Sequence, residues 1–296
     1  MAAAALKAFS VNNFSKKMYR KIGNTFGQRS RLAANDLGVR IARGDLLVEL
    51  CRKHNTILDG DRILEIGTGW MHWYSLYLRL FYEVRVTALD IWDNRQFLAL
   101  QAAVKKLSAR LETSSDADEK AVENLRKLLL CQSFDDIYRE FGYEYVIEPN
   151  GAISAFADAQ FDFITSFHVL EHVPAQLVKQ LTIDMYRTLK PGAYTIHQIG
   201  IDDHLTHYDS TASHKQYLKY SDRTWRIFFQ NDVQYFNRLQ TSDWLAFFES
   251  AGFKIVETIS KGASIDKLKI DPKFRDYPKE DLECTNLTVI CRKPNA

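Results

Sequence analysis

The sequence lacks the marks of several protein classes. None of its apolar runs approaches the about 18 residues that a transmembrane helix needs, so no membrane span is predicted. The formal net charge is only +2, which gives no general sign of nucleic-acid binding. The few cysteines show no metal-site spacing, which predicts free thiols, a reducing compartment and a cytoplasmic protein. They are Cys51, Cys131, Cys284 and Cys291.

Acidic residues are missing from the first 35 positions, which contain seven lysines and arginines. Residues 1–60 carry eleven basic and four acidic residues, so the rest of the chain is net acidic. We interpret residues 1–59 as a basic, partly helical extension. Three interpretations stay open for it: a solvated extension, a surface that contacts an anionic partner such as a membrane or a phosphate-bearing substrate, and an organelle transit peptide.

Short apolar runs alternate with helical periodicity along most of the chain. Strands are predicted at 62–66, 84–89, 143–147, 161–167, 193–199, 253–259 and 286–292. Helices are predicted at 31–55, 71–81, 94–111, 116–131, 133–141, 174–188 and 241–251. This alternation is typical of an α/β fold with a Rossmann-like, doubly wound, mainly parallel seven-stranded sheet. We predict one such domain at 60–296, in which insertions near 105–142 and 200–240 cap the carboxyl edge of the sheet.

Two boundaries rest on single local signals. Asp116 is the predicted N-cap of the 116–131 helix. The Leu-Lys-Pro-Gly run at 189–192 is predicted to form a turn between the preceding helix and the fifth strand.

The end of the first predicted strand has the features of a ligand-binding turn. Gly67 and Gly69 follow it, and glycine lets the backbone turn sharply and a ligand approach closely. His72 stands where the dinucleotide fingerprint Gly-x-Gly-x-x-Gly needs its third glycine, so that fingerprint fails. Asp90 ends the next strand, where a carboxylate accepts hydrogen bonds from ribose hydroxyls; alternatively it caps a helix. The pattern predicts a pocket for a ribose-bearing cofactor.

Four segments in this order resemble the class I S-adenosylmethionine-dependent methyltransferases. They are Leu64–Gly69, Asp90, Phe161–Pro174 and Arg187–Gly192, and the resemblance spans roughly residues 60–260. It implies a methyltransferase with S-adenosyl-L-methionine as its cofactor. The residues that it assigns to the cofactor are Glu65, Gly67, Thr68, Gly69, Asp90, Ile91 and His168.

The chain departs from the family pattern at two places. Met71 stands where the family often has its third glycine, with Trp70 beside it, and bulk at this point is expected to reshape the methionine end of the pocket. Pro149-Asn150-Gly151 replaces the usual Gly-Asp after the third strand, so the adenine contact is assigned only to the range 151–158.

Histidines cluster after the fourth predicted strand, where six of the eight lie between residues 168 and 214. A histidine can take a proton from an acceptor hydroxyl because its ordinary pKa lies near neutrality. The candidate bases are His204, His168 and His197. Each has an alternative: a hydrogen-bonded loop for His204, a cofactor contact for His168 and core packing for His197. The spacings of His168, Glu171 and His172, and of Asp202, His204 and Asp209, also suit a divalent ion, but no metal is predicted.

The stretch after the fifth strand resembles a bacterial subgroup of these enzymes with a long segment at this position and poorly defined acceptors. Aromatic rings with Arg, Asn and Asp suit carbohydrate binding, and arginines suit phosphate or carboxylate. The predicted substrate contacts are His207, Tyr208, Arg223, Trp225 and Arg238. The alternative for Trp225 is that it packs a lid onto the sheet.

The leading hypothesis is methyl transfer to a small-molecule or carbohydrate-like acceptor, at oxygen, by in-line displacement with a histidine base. One alternative is a nucleic acid or protein acceptor, which the net acidic domain and the absence of an Asn-Pro-Pro-Tyr type motif disfavour. Another is a cofactor-binding protein without transferase activity that serves as a partner.

Overall fold

The structure is a computed structural model that describes residues 7, 9–12, 14–19, 34–112, 118–207, 209 and 211–295. For residues 34–36, 112 and 207 it describes the backbone alone. The strands are β1 (Arg62–Ile66), β2 (Arg85–Asp90), β3 (Tyr143–Ile147), β4 (Phe161–Phe167), β5 (Leu189–Gly200), β6 (Lys254–Gly262) and β7 (Cys284–Arg292). They form one seven-stranded sheet in the order β3-β2-β1-β4-β5-β7-β6.

Helices connect most of these strands. The α-helices are α1 (Ala34–His54), α2 (Trp73–Phe81), α3 (Phe97–Glu112), α4 (Glu119–Leu130), α5 (Phe134–Phe141), α6 (Ala175–Thr188), α7 (Asp222–Phe228), α8 (Thr241–Ser250) and α9 (Lys279–Glu283). Short 3₁₀ turns lie at Leu170–His172, His204–His207, Gln216–Lys219 and Pro272–Phe274. Among the described residues, no helix is long and apolar enough to cross a membrane.

The pairing of the strands explains their apolar sequences. β1 pairs in parallel with both β2 and β4, and β2 pairs in parallel with β3. β6 and β7 are antiparallel. A central parallel strand is covered on both faces, and every residue of β1 after Arg62 is accordingly buried. The predicted Rossmann-like, mainly parallel seven-stranded sheet is confirmed.

The chain divides into two compact units. The first unit comprises Asn24–Phe167, Arg187–Thr195 and Asn295–Ala296. The second comprises Met1–Gly23, His168–Tyr186 and Ile196–Pro294. β1 to β4 belong to the first unit, β6 and β7 belong to the second, and β5 runs from the first into the second. The predicted division at residue 59 stays a prediction.

Two predicted boundaries are wrong. The turn expected at 189–192 is already part of β5, which begins at Leu189. Lys190 Nζ lies 2.6 Å from Asp162 Oδ1 of β4, so the segment is held as a strand although Gly192 has a φ of 79°. The insert helix α4 is capped by Asp118, which accepts from the N–H of Ala121 at 3.1 Å. The predicted cap, Asp116, lies outside the described residues.

The four cysteines lie in the interior of the protein. Cys51, Cys131, Cys284 and Cys291 are all buried, and none forms a disulfide. Burial raises the pKa of the Cys51 thiol to about 12, because the thiolate would lose its hydration. These cysteines therefore act as small apolar side chains of the core.

Candidate functional site

The turn after β1 leaves space above its second glycine. Gly67 and Gly69 have φ values of 71° and 66°, a region that glycine enters without steric cost. The N–H groups of Gly67 and Thr68 donate to the carbonyl of Leu89 at 2.8 and 3.1 Å, which fixes the turn against the end of β2. A Cβ at Gly69 would meet no atom within 4 Å. A ligand can therefore approach this backbone closely.

Glu65 supports the turn from beneath. Its side chain is 1% exposed and accepts hydrogen bonds from Thr68 Oγ1 at 2.9 Å and from the Ser75 hydroxyl. Burial raises the pKa of the Glu65 carboxyl to about 7, although both hydroxyl groups oppose this shift. The residue lies inside the protein, where it orders the glycine turn.

Asp90 presents a carboxylate at the end of β2. Its Oδ2 accepts from the N–H of Gly69 at 2.9 Å, and its Oδ1 accepts from the N–H of Ile91 at 2.7 Å. Burial raises the pKa of the carboxyl above its ordinary value, and the backbone donors oppose this. A carboxylate has about four lone-pair sites. Asp90 can therefore also accept hydrogen bonds from a neighbouring diol.

An apolar surface adjoins this carboxylate. The N–H of Glu148 donates to the carbonyl of Asp90 at 2.9 Å, which places the turn after β3 beside the end of β2. A Cβ on Gly151 in this turn would lie 3.3 Å from Cγ2 of Ile91. Ile91 itself is 46% exposed. The predicted adenine range thus begins next to an exposed aliphatic side chain.

The bulky residues after Gly69 are accommodated by packing. Met71 is 2% exposed and belongs to the core. The Arg40 guanidinium lies 5.9 Å from the ring centre of Trp70. In its favoured orientation, the Asn94 amide donates to the carbonyl of Gly69 at 3.2 Å and accepts from Trp70 Nε1 at 3.3 Å. The indole is therefore a second support for the glycine turn.

His72, which stands in place of the third glycine of the dinucleotide fingerprint, is a buried residue. It adopts a φ of 50° at the start of α2 and is 0% exposed. Its ring packs against Phe134 and Tyr145, at centroid distances of 4.9 and 4.7 Å, and Nδ1 lies 3.2 Å from Tyr138 Oη. Burial lowers the pKa of His72 to about 3, so the ring is neutral.

In the second unit, His168 forms a pair with a buried carboxylate. His168 has a φ of 53°, an uncommon conformation for a residue with a side chain. Its Nδ1 lies 3.1 Å from Glu171 Oε1, and the two side chains are 29% and 3% exposed. Burial favours a raised pKa for Glu171, but the hydrogen bond and the charges of His168 and His172 outweigh it, and the pKa is lowered. Glu171 is therefore an ionised partner for a half-buried imidazole.

Three further residues shape the His168–Glu171 pair. The N–H of Gly200 donates to Glu171 Oε1 at 3.1 Å. The other ring nitrogen, His168 Nε2, lies 3.2 Å from Gln198 Oε1 and 3.3 Å from Asn286 Nδ2. The imidazole thus faces a carboxylate at one nitrogen and two carboxamides at the other.

The other two candidate bases have different surroundings. His204 packs against the rings of His172 and Phe236, at centroid distances of 5.1 and 4.6 Å. His197 is 0% exposed and stacks on Phe248 at 5.4 Å. Burial lowers the pKa of His197 to about 3, which makes it a neutral ring of the interior.

The predicted substrate residues also differ in burial and in their contacts. Trp225 is 7% exposed within an apolar cluster. The Arg238 guanidinium lies 4.9 Å from the ring centre of Trp225 and pairs with Asp222, while Arg223 is exposed. Tyr208 and the side chain of His207 lie outside the described residues. Contact of any of them with an acceptor stays a prediction.

The geometry agrees with a comparison of the sequence with protein families. The model of a methyltransferase domain matches residues 41–258, most of the chain. The chain belongs to this methyltransferase family. The predicted class, an S-adenosylmethionine-dependent methyltransferase with S-adenosylmethionine as cofactor, is confirmed. No curated protein sequence matches this methyltransferase.

Solved structures with a similar fold exist. A protein of Galdieria sulphuraria, proposed to be a sarcosine dimethylglycine methyltransferase, is 14% identical over 86% of each chain, with a TM-score of 0.50. An S-adenosylmethionine-dependent methyltransferase of Methanosarcina mazei is 20% identical over 82% of this chain and 97% of the other, with a TM-score of 0.45. At these identities the Galdieria protein shares the fold, and its substrate is not transferred to this methyltransferase.

The sequence singled out Glu171 only as a potential metal ligand, and it did not single out Gln198 or Asn286 around His168. Glu171 has a local signal, because it lies three positions after His168 in the 3₁₀ turn. Gln198 of β5 and Asn286 of β7 have none, since Asn286 lies 118 positions from His168. Among the described residues of the methyltransferase, no group of three or more His, Cys, Asp or Glu side chains is arranged to hold a metal ion.

Proposed function

We propose that this methyltransferase methylates an oxygen atom of a small polar or carbohydrate-like acceptor, with His168 as the general base. The observation that carries the proposal is the His168–Glu171 pair. A part-exposed imidazole that donates through Nδ1 to an ionised, buried carboxylate keeps its other nitrogen as the proton acceptor.

The glycine turn and Asp90 would hold the cofactor. The open space at Gly69 and the remaining lone pairs of Asp90 fit a ribose-bearing ligand with a tail that lies along the turn. Ile91 would contribute an apolar surface, and Glu65 and Thr68 would keep the turn in shape. When bound, S-adenosylmethionine supplies a sulfonium methyl group that is already activated for in-line displacement.

The His168–Glu171 pair would then accept one proton from the acceptor. Glu171 accepts the Nδ1–H of His168, which leaves Nε2 unprotonated and able to take the proton of an acceptor hydroxyl. After transfer, Gln198 Oε1, 3.2 Å from Nε2, could accept the new N–H. Glu171 would stabilise the positive imidazolium that forms, as a buried carboxylate does in other histidine pairs.

His168 is a better candidate than the other two histidines because of its exposure and its neighbouring groups. His197 is completely buried, and burial lowers its pKa to about 3, so an acceptor cannot reach it without local opening. His168 has an ionised carboxylate at one ring nitrogen, and His204 packs between the rings of His172 and Phe236.

The groups near His168 favour a hydroxylated acceptor. The Asn286 carboxamide carries both a donor and an acceptor, the pattern that sugar hydroxyls satisfy, whereas the buried Gln198 amide already donates to Thr288 Oγ1 at 3.3 Å. We place the reaction in the cytoplasm, in keeping with four buried cysteines that form no disulfide.

The test is methyl transfer from labelled S-adenosylmethionine to a panel of monosaccharides, uronic acids and inositol. We expect an O-methyl product by mass spectrometry and a loss of roughly 10²- to 10⁴-fold in kcat for His168→Asn, the usual contribution of a general base. His214→Asn is the matched control, because the His214 side chain is 58% exposed. Methylation at nitrogen or carbon, or a His168→Asn rate within twofold of the wild type, would overturn the proposal.

A further inference from the structure

Five large apolar side chains are exposed on two segments of the second unit. Val11 and Phe14 are each 76% exposed, and Met18 is 43% exposed. Ile227 and Phe228, at the end of α7, are 49% and 60% exposed. We call these five residues the apolar patch.

Contacts bring the two segments together. Lys7 Nζ donates to the carbonyl of Arg226 at 3.0 Å. The N–H of Asp232 donates to Ser10 Oγ at 2.9 Å, and Lys16 Nζ lies 2.6 Å from Asp232 Oδ2. Gln234 Nε2 donates to Tyr19 Oη at 2.9 Å. The described N-terminal residues therefore lie along residues 226–234, and both segments carry exposed apolar side chains.

Positive charge surrounds the apolar patch. Lys17, Arg223 and Arg226 are exposed, while the acidic neighbour Asp232 is paired with Lys16. Asp222 is paired with both Arg238 and Lys273. The N-terminal sequence adds further basic residues and no acidic one before Asp36. The described surface at this place combines exposed apolar side chains with exposed basic side chains.

We propose that the apolar patch docks the enzyme on the surface of an anionic lipid membrane. Apolar side chains enter the boundary between headgroups and acyl chains, while lysine and arginine attract the acidic headgroups. A second copy of the chain would offer only apolar area, since its own patch carries the same positive charge. No described helix is long and apolar enough to cross a membrane, and in this proposal the docked enzyme lies on the membrane surface.

This inference is independent of the proposed reaction and is tested by vesicle co-sedimentation of the full chain. Vesicles of phosphatidylcholine alone are compared with vesicles that contain phosphatidylserine as well, at low and at high salt. We expect binding to the anionic vesicles, little binding to the neutral ones, and weaker binding at high salt because the headgroup attraction is screened.

Matched variants distinguish binding through the apolar patch from nonspecific binding by other exposed apolar residues. Phe14→Ser with Phe228→Ser should weaken binding at least tenfold, and Arg226→Glu should weaken it by more than roughly fivefold, since each cation near an anionic surface contributes about that factor. The control is Leu130→Ser with Val256→Ser, two exposed apolar residues at other places, 78% and 38% exposed. Equal thermal unfolding of all variants shows that each folds.

Three results would overturn the inference. The first is no binding of the wild type to anionic vesicles. The second is binding that the patch variants and the control variants change equally. The third is self-association in analytical ultracentrifugation that the Phe14→Ser, Phe228→Ser variant abolishes, because the patch would then join two copies of the chain.

Discussion

At the scale of single residues, the proposed general base depends on the contact between one imidazole and one buried carboxylate. Glu171 holds His168 by a 3.1 Å contact and is itself held by the N–H of Gly200. A positioning residue of this kind influences the rate through the base, without touching the acceptor. Its effect should therefore appear in the rate and its pH dependence and not in cofactor binding.

We predict that Glu171→Gln lowers kcat by roughly 10- to 100-fold, because the neutral amide no longer stabilises the imidazolium that forms during proton transfer. The acidic limb of the pH–rate profile should move to lower pH, while KM for S-adenosylmethionine stays within about threefold. Glu171→Asp should restore part of the rate. A profile that keeps its shape in Glu171→Gln would contradict the positioning role.

Gly200 provides a steric test of the same pair. An added Cβ would lie 2.7 Å from Glu171 Oε1 and 3.0 Å from His168 Nδ1, so one of them must move. Gly200→Ala should reduce kcat by roughly tenfold or more, since small displacements in a site are costly. Gly142→Ala is the control: it meets no atom within 4 Å, and its φ of 68° should cost stability without affecting kcat.

The raised pKa of Glu65 predicts a pH dependence of the free energy of unfolding. Burial raises the pKa of this carboxyl to about 7, and its value in the unfolded chain is about 4.3. Between these values the folded state keeps a proton that the unfolded state has lost, so the contribution of Glu65 to stability falls as the pH rises through this window. The fall is of the order of 4 kcal/mol at most.

Glu65→Gln should remove this part of the pH dependence. Urea unfolding at pH 5 and pH 8 measures it, with the wild type losing more stability than the variant on going to pH 8. Buried His72 and His197, whose pKa values are lowered to about 3, have the opposite trend, but they are present in both proteins. Equal differences in the two proteins would refute the raised pKa of Glu65.

At the scale of elements, the packing of α1 against α2 depends on one glycine. A Cβ on Gly44 would lie 2.7 Å from the ring of Tyr77, whose hydroxyl donates to Asp45 at 2.5 Å. A Cβ on Gly38, in the same helix, would meet only Lys106 Nζ, at 3.7 Å. The same substitution at these two positions should therefore have opposite effects.

Gly38→Ala should raise the free energy of unfolding by about 0.5–1 kcal/mol, the difference in helix propensity between the two residues. Gly44→Ala should lower it by about 1–3 kcal/mol, because overpacking outweighs that gain. Chemical denaturation of both variants checks this. Stabilisation by Gly44→Ala would show that Tyr77 moves away freely.

The sequence predicted those elements whose signals are local. β1 and β2 are buried apolar runs that end in the glycine turn and in Asp90, and α5 follows the N-cap Ser133. It missed the start of β5, because Pro191 and Gly192 normally signal a turn, and the pairing with β4 overrides that preference. It also missed α7, a seven-residue helix that the apolar cluster around Trp225 stabilises.

At the scale of the whole molecule, some parts of the predicted site have local sequence signals, and other parts depend on the fold. Apart from His168, the predicted cofactor residues lie within two short segments, and their predicted roles follow from strand ends and glycine positions. The groups around His168 come from three distant segments of the chain, and only the fold brings Gln198 and Asn286 to its Nε2. The histidine cluster indicated the region, whereas burial separates His197 from His168.

The most direct test of the account is calorimetric titration of the folded chain with S-adenosylhomocysteine. We predict one site, with Asp90→Ala weakening the affinity roughly 10- to 100-fold, because a carboxylate that accepts from a ribose diol loses two charge-assisted hydrogen bonds. Asp93→Ala, at an exposed neighbour paired with Arg95, should stay within about twofold. No heat with the wild type, or an Asp90→Ala affinity equal to the wild type, would contradict the cofactor site on which the proposed reaction depends.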